Sequence, residues 1–398
     1  MKVRKSAVGL IAVFALASCA SPVDGTALPA EIDVRGFDVG RYGTKPVKAP
    51  DGDVLRGTIV EATRISGAMA DSYEIDPTLK HGWGAEIDRD PAAATNSLAD
   101  VAEPVLTRYG MIAGAVHTGT DLEFPAKKPS PGDFRGITTN LILFPDAESA
   151  KKAAKEIDEA DFNVNPSNNR RASVPGYAES HAHYRPNVPN MGATLAEGPF
   201  VISLFLEHTS ADVDVLTDMA KKTFDKQVPL LRQFKATGKE NLAKAPVDGE
   251  GMIKRTLPDT AGAWPSPSAE WGTVYNRRGA VHEQDDKEKT SKLFDATQVE
   301  FVAVGQVGTV LYRTRDAAGA ERLAREQFGR VYQIDADITA PKDVPGAKCF
   351  KVKSASGRPQ DFRCNVVYRN YAAQVRADNE NDVRQKGAAQ YALLANSQ

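Results

Sequence analysis

The chain has 398 residues, 41% of them hydrophobic and 26% charged, a mix ordinary for a globular protein and a length that suits two or three domains. Its formal charge of −2 is spread evenly with no basic stripe, which excludes nucleic acid as the expected partner.

The N-terminus begins Met1-Lys2-Val3-Arg4-Lys5, runs apolar from Ala7 to Leu16, and ends in Leu16-Ala17-Ser18-Cys19. This is a basic start, a short apolar run and a small-residue cleavage site. With cysteine next, it resembles a bacterial lipoprotein signal, which implies removal of residues 1–18 and acylation of Cys19. The alternatives are a plain secretory signal with a chance cysteine, or an uncleaved helix. The run is about ten residues, short of the roughly 20 that span a bilayer. One acyl chain holds a protein to a membrane only marginally and two hold it stably; a diacylglyceryl thioether on Cys19 supplies two. No later segment is apolar enough to cross, so the body is expected in water, on the outer face of the cell membrane.

Residues 19–50 read as a lipidated tether, with Phe37 and Tyr42 available to pack on the body. Residues 53–73 read as an extra helix on the first domain, which spans 51–235. Within it the pattern predicts a helix over 91–108, strands at Met111–His117 and Gly136–Phe144, and a helix capped by Asp146 with the stripe Ala150, Ala153, Ala154 and Ile157. Paired strands follow at Ala193–Ala196 and Phe200–Leu206. A long helix through Leu216, Phe224 and Val228 comes next, with Pro229 kinking or ending it. Prolines and glycines from 236 to 270 mark an interdomain linker.

The second domain, 271–398, repeats the series. A helix at Asp285–Asp295 precedes strands at Val299–Val304 and Thr309–Thr314. A helix capped by Asp316 follows, with Ala320, Leu323, Ala324 and Phe328, then strands Phe362–Tyr368 and Tyr371–Arg376 and a helix over 381–395. One offset of 170 residues relates Asp146 to Asp316, Ala150 to Ala320 and Ala154 to Ala324. The fold class read from this is α+β: two similar tandem domains, each an antiparallel sheet with helices on one face.

Besides Cys19 there are two cysteines, Cys349 and Cys364. An even pair in an exported body, flanking a strand–turn–strand pattern, reads as a disulfide hairpin worth about 3 kcal/mol in the chain-entropy model. Free thiols or a metal site are the alternatives, and no nearby histidine supplies further ligands.

Several phrases carry a wider resemblance. These are the lipobox, Val39-Gly40-Arg41-Tyr42-Gly43-Thr44-Lys45-Pro46, Gln227-Val228-Pro229-Leu230-Leu231-Arg232-Gln233-Phe234, Asp248-Gly249-Glu250-Gly251-Met252-Ile253-Lys254-Arg255-Thr256-Leu257-Pro258, Val310-Leu311-Tyr312-Arg313-Thr314-Arg315-Asp316 and the cysteine pair. Together they resemble a family of two-domain lipoproteins of unknown function from mycobacteria and related actinobacteria. The resemblance implies an envelope location and transfers no site residue.

Chemistry is sparse. Nucleophile-elbow, zinc-helix, phosphate-loop and dinucleotide patterns are absent, so no catalytic residue and no cofactor is expected. His181 and His183 alternate on a strand, so both rings share a face and are weak metal candidates; two histidines on an edge strand are the plainer reading. Trp83, Trp264 and Trp271 near loops suit either a ligand groove or packing. The expected function is a membrane-anchored binding or interaction module for an envelope protein, lipid or wall ligand. An envelope hydrolase with a non-standard site and a metal or solute capture protein are the alternatives.

Overall fold

The computed structural model describes residues 32–124, 129–265, 272–327, 334–353 and 361–397; Cys19, Trp271 and Phe328 lie outside the described residues. The described residues before Phe37 hold a 3-10 turn at Val34–Gly36, and the body begins at Phe37.

The first domain runs α1 (Val54–Ser66), α2 (Ser72–Ile75), β1 (His81–Asp88), α3 (Pro91–Ala94), α4 (Glu103–Tyr109), β2 (Ala113–Thr120), β3 (Gly136–Leu143), α5 (Ala147–Phe162), β4 (Arg170–Ala172), β5 (His181–Tyr184), β6 (Asn190–Glu197), β7 (Phe200–Glu207) and α6 (Val213–Gln233). The second runs β8 (Thr273–Asn276), α7 (Arg277–His282), α8 (Lys287–Thr297), β9 (Val299–Val304), β10 (Val310–Thr314), α9 (Ala317–Glu326), β11 (Ile334–Ile338), β12 (Lys348–Val352), β13 (Asp361–Tyr368), β14 (Tyr371–Ala377) and α10 (Glu380–Ala395). Each series makes a seven-stranded antiparallel sheet. The orders are β1-β2-β3-β7-β6-β5-β4 and β8-β9-β10-β14-β13-β12-β11, one topology twice.

Local chemistry repeats with it. The Asp146 carboxylate accepts from the Ser149 N–H at 2.7 Å and the Asp316 carboxylate from the Gly319 N–H at 2.8 Å, starting α5 and α9 at equivalent points. The β6–β7 and β13–β14 turns both begin on a left-handed residue, Gly198 at φ 55° and Arg369 at φ 51°.

The α+β reading with two tandem sheets holds, and the layering is fuller than expected: helices lie on both faces of each sheet rather than on one. The cause is visible in β3, whose Ile137, Leu141 and Leu143 join one core while Ile142 joins another. A strand apolar at both parities needs two covers. Helices α1 and α6 cover the first face, α4 and α5 the second. In the second domain α10 packs on Cys364, Val375 and Ala377, and Phe294 of α8 and Leu323 of α9 pack in the cluster that holds Tyr312 and Ala372.

Other departures have local causes. The helix expected over 91–108 is split into α3 and α4, and Pro104 sits in the first turn of α4, where its missing N–H costs nothing. Helix α6 continues past Pro229 to Gln233, with Pro229 on the exposed side, where water can meet the carbonyl it frees. Over its described residues the 236–270 stretch is no loose linker. It carries a 3-10 turn at Lys239–Lys244 and buries Leu242, Met252, Ile253 and Leu257.

The two domains share one core: Ile59 and Ile65 of α1 lie in the same cluster as Tyr275, Ala280 and Val281. The Gly82 N–H donates to the Asp285 carbonyl at 2.8 Å and the Lys287 N–H to the Lys80 carbonyl at 2.9 Å. Before entering the first domain the chain lies along α10 of the second. Tyr42 is buried there and its O–H donates to Asp382 at 2.6 Å. Cys349 and Cys364 face each other across β12 and β13 and are joined as a disulfide. Among the described residues no helix is long and apolar enough to cross a membrane.

Candidate functional site

The register of the first sheet sets Asn140 opposite Ser203, Ser203 opposite Thr194, and Thr194 opposite His181. One step along, Phe205 stands opposite Gly192, and Gly192 opposite His183. These side chains share the face that α4 and α5 cover. Between α5 and the segment that leads into α4 lies a cavity of about 340 Å³ whose lining includes Ser97, Asn140, Asp161, His183, Ser203 and Phe205.

Its polar groups differ in how far they are satisfied. Asn140 is 1% exposed and accepts from the Ser97 hydroxyl at 2.5 Å. Its amide nitrogen has no partner among the described residues, and neither has the hydroxyl of the buried Ser203. Both atoms open onto the cavity, where the hydroxyl of a ligand can take the place of water.

His183 is held firmly. Its Nδ1 lies 2.6 Å from Asp158 and its Nε2 3.4 Å from Asp161. Asp158 is also paired with Arg171, whose guanidinium stacks 4.0 Å over the Phe162 ring. Burial alone would lower the imidazole pKa, but the two aspartates outweigh it and hold His183 up at about 9. It is therefore charged at neutral pH, and two carboxylates balance His183 and Arg171. A side chain added at Gly192 would place its Cβ 3.3 Å from the His183 ring, so the glycine gives the imidazole its seat.

Both nitrogens of His183 face aspartates. A general base needs a free nitrogen within reach of a nucleophile. Among the described residues no hydroxyl or thiol hydrogen-bonds to either nitrogen of His183, and Ser97 donates to Asn140 instead. Among the described residues, His181 and His183, the weak metal candidates, are not joined by a set of ion ligands. Asp158 and Asp161 occupy the His183 nitrogens, and no group of three His, Cys, Asp or Glu among the described residues is placed to hold an ion. The sequence pattern put His181 and His183 on one face but missed Asp158, Asn140 and Ser203. The one available signal was polar Asn140 inside an otherwise apolar strand.

Of the described tryptophans, neither Trp83 nor Trp264 lines the groove between the domains. The Trp83 indole donates to the Leu122 carbonyl at 2.8 Å and packs on Phe134. Trp264 is half-buried. A groove of about 770 Å³ runs between the domains, with Ile59, Phe234 and Phe301 in its wall. A larger cavity of about 940 Å³ lies over the second sheet, and several of its charges are paired: Lys292 with Glu288, Arg322 with Glu326, and Arg363 with Asp361.

A second titratable cluster seals the domain junction. The rings of His117 from the first domain and His282 from the second stack 4.1 Å apart at 10°. The Lys287 ammonium donates to His117 Nδ1 at 3.0 Å and to the Thr118 carbonyl at 2.9 Å. Asp71 lies 3.1 Å from Arg278 and 3.2 Å from His282 Nδ1. Burial, then the nearby Lys287 charge, drives both histidines well below their ordinary pKa, so they are neutral. Burial also lowers Lys287 and raises Asp71. His117, His282 and Lys287 are each at most 1% exposed, so this cluster fastens domains rather than receiving a ligand.

Comparison with known proteins gives two family matches. Residues 48–247 match the N-terminal part of a domain of unknown function, DUF7373, and residues 252–397 its C-terminal part. No curated protein matches the chain. Among solved structures, the extracellular domain of PknH from Mycobacterium tuberculosis is similar at 11% identity and a TM-score of 0.32, over 48% of this chain and 100% of that one, a likeness too weak to assign a role. The two matches meet the expectation of a two-domain family of unknown function. The chain belongs to the DUF7373 family, with its N-terminal and C-terminal domains in tandem.

Proposed function

We propose that this protein is a lipid-anchored binding module on the outer face of the cell membrane, and that its ligand sits in the Asn140–Ser203 cavity of the first domain. The open donors of Asn140 and Ser203 carry the binding reading. Among the described residues no nucleophile hydrogen-bonds to His183, which favours binding over the hydrolase alternative. The Leu16–Cys19 motif supports the anchor, and a disulfide suits an oxidising, extracytoplasmic setting.

Two results are expected. Cys19→Ala moves the protein from the membrane fraction to the soluble fraction and removes lipid labelling; retention of label at another residue overturns the anchor. Full chain purified from its own envelope releases a small molecule on denaturation, and Asn140→Ala carries at least tenfold less. Equal yield from both chains, or conversion of an envelope extract into new products, would count against a binding module.

A further inference from the structure

We infer that the ligand of this cavity is one ring of a neutral, polyhydroxylated molecule, a pyranose or cyclitol. This rests on the binding reading above and goes on to name the class. Four observations define it. First, the donor set is uncharged where it is open: the Asn140 amide and the Ser203 hydroxyl both face the cavity without partners, while the nearby ions, Asp158, Asp161, His183 and Arg171, balance one another. A charged ligand would find no unpaired counter-charge, and an apolar one would bury those donors unsatisfied.

Second, Asp161 is half-exposed and Ser97 keeps its acceptor lone pairs, so the wall offers acceptors as well as donors. A molecule bearing adjacent hydroxyls, each donor and acceptor, fits a wall of that alternation. Third, Phe205 is 42% exposed and lies on the same sheet face, giving an aromatic surface for the C–H side of a saturated ring. Fourth, a cavity of about 340 Å³ has room for one saturated ring.

The second domain supplies an internal contrast. Arg363 stands opposite Phe350 as Gly192 stands opposite His183. There Arg363 donates to Gln374 at 2.8 Å and Gln374 to Asn365 at 2.9 Å, so the corresponding polar face satisfies itself. Duplication made two faces, and the first one keeps its donors open.

The test uses full chain in a detergent without a sugar headgroup. Saturation-transfer NMR is run with methyl β-D-glucopyranoside, methyl α-D-mannopyranoside, methyl β-D-galactopyranoside, L-arabinose and myo-inositol, and separately with an envelope extract. At least one ring compound is expected to bind, at least tenfold more weakly to Asn140→Ala and to Phe205→Ala and unchanged with Gln374→Ala. Phe205 is exposed, so its variant keeps the test valid if Asn140→Ala fails to fold. Octyl β-D-glucopyranoside separates the sources: affinity equal to the methyl glycoside marks a free or wall-borne sugar, and tenfold tighter binding a glycolipid headgroup. Binding by the extract, sensitive to Asn140→Ala, with none by the ring compounds overturns the class and spares the binding reading. No binding by either overturns both, and ring binding that both variants retain overturns this site.

Discussion

Asp71→Ala is expected to lose about 3–5 kcal/mol of stability, because it strips the shared counter-charge from buried cations. The Asp71 carboxylate faces Arg278 at 3.1 Å and His282 at 3.2 Å, and its charge supports the fully buried Lys287. Glu74, at 2.7 Å from Arg278, covers only the outer part of that guanidinium, and Glu283 is left as the remaining anion near Lys287. Lys287→Met deletes a charge and keeps the volume, so it should cost far less, within about 1–2 kcal/mol. Urea unfolding followed by tryptophan fluorescence and far-UV circular dichroism checks both. One coincident transition is expected, since the cluster and the shared core tie the domains together. An Asp71→Ala chain as stable as wild type would show that the junction draws nothing from this electrostatics.

The second large effect concerns Asp158→Asn, and it depends on pH. His183 is raised from about 6.5 unfolded to about 9 folded. A raised histidine stabilises fully below its unfolded pKa, and that contribution is lost as pH rises through the folded value. The shift corresponds to about 3 kcal/mol. Wild type should therefore lose stability through this group between pH 6.5 and 9. The variant keeps only the Asp161 part of the raised pKa, so the gap between the two chains is widest near pH 6 and narrows above pH 9. It does not close, because Arg171 still pairs with Asp158 in wild type. Urea midpoints at pH 6 and pH 9.5 measure it, and a gap that stays constant with pH would contradict the ion pair.

Much of the fold is legible because its signals are local. Asp146 and Asp316 announce their helices, and the strands of Phe200–Leu206 and Val299–Val304 are nearly continuous β-branched and apolar runs. What escapes is whatever lacks period. Strand β1 contains Gly82 and Gly84 and a register shift between Gly82 and Ala85, so no alternation marks it. Strand β4 has three residues, too few to show a pattern. The second helical layer was encoded in the double-sided apolarity of β3, a feature that reads equally as any buried strand. The site was the least accessible: Asn140, Asp158 and Ser203 converge through sheet register and helix placement, and the junction pairs His117 with a lysine 170 residues away. No spacing rule joins residues so far apart in the chain.

The most direct measurement places a photoreactive side chain at position 205 of the full chain in its native membrane, followed by irradiation and intact-mass spectrometry. One discrete small-molecule adduct is predicted, and adding Asn140→Ala should abolish it. A spread of bulk-lipid adducts indifferent to Asn140→Ala, or no adduct at all, would contradict a ligand held in the first domain.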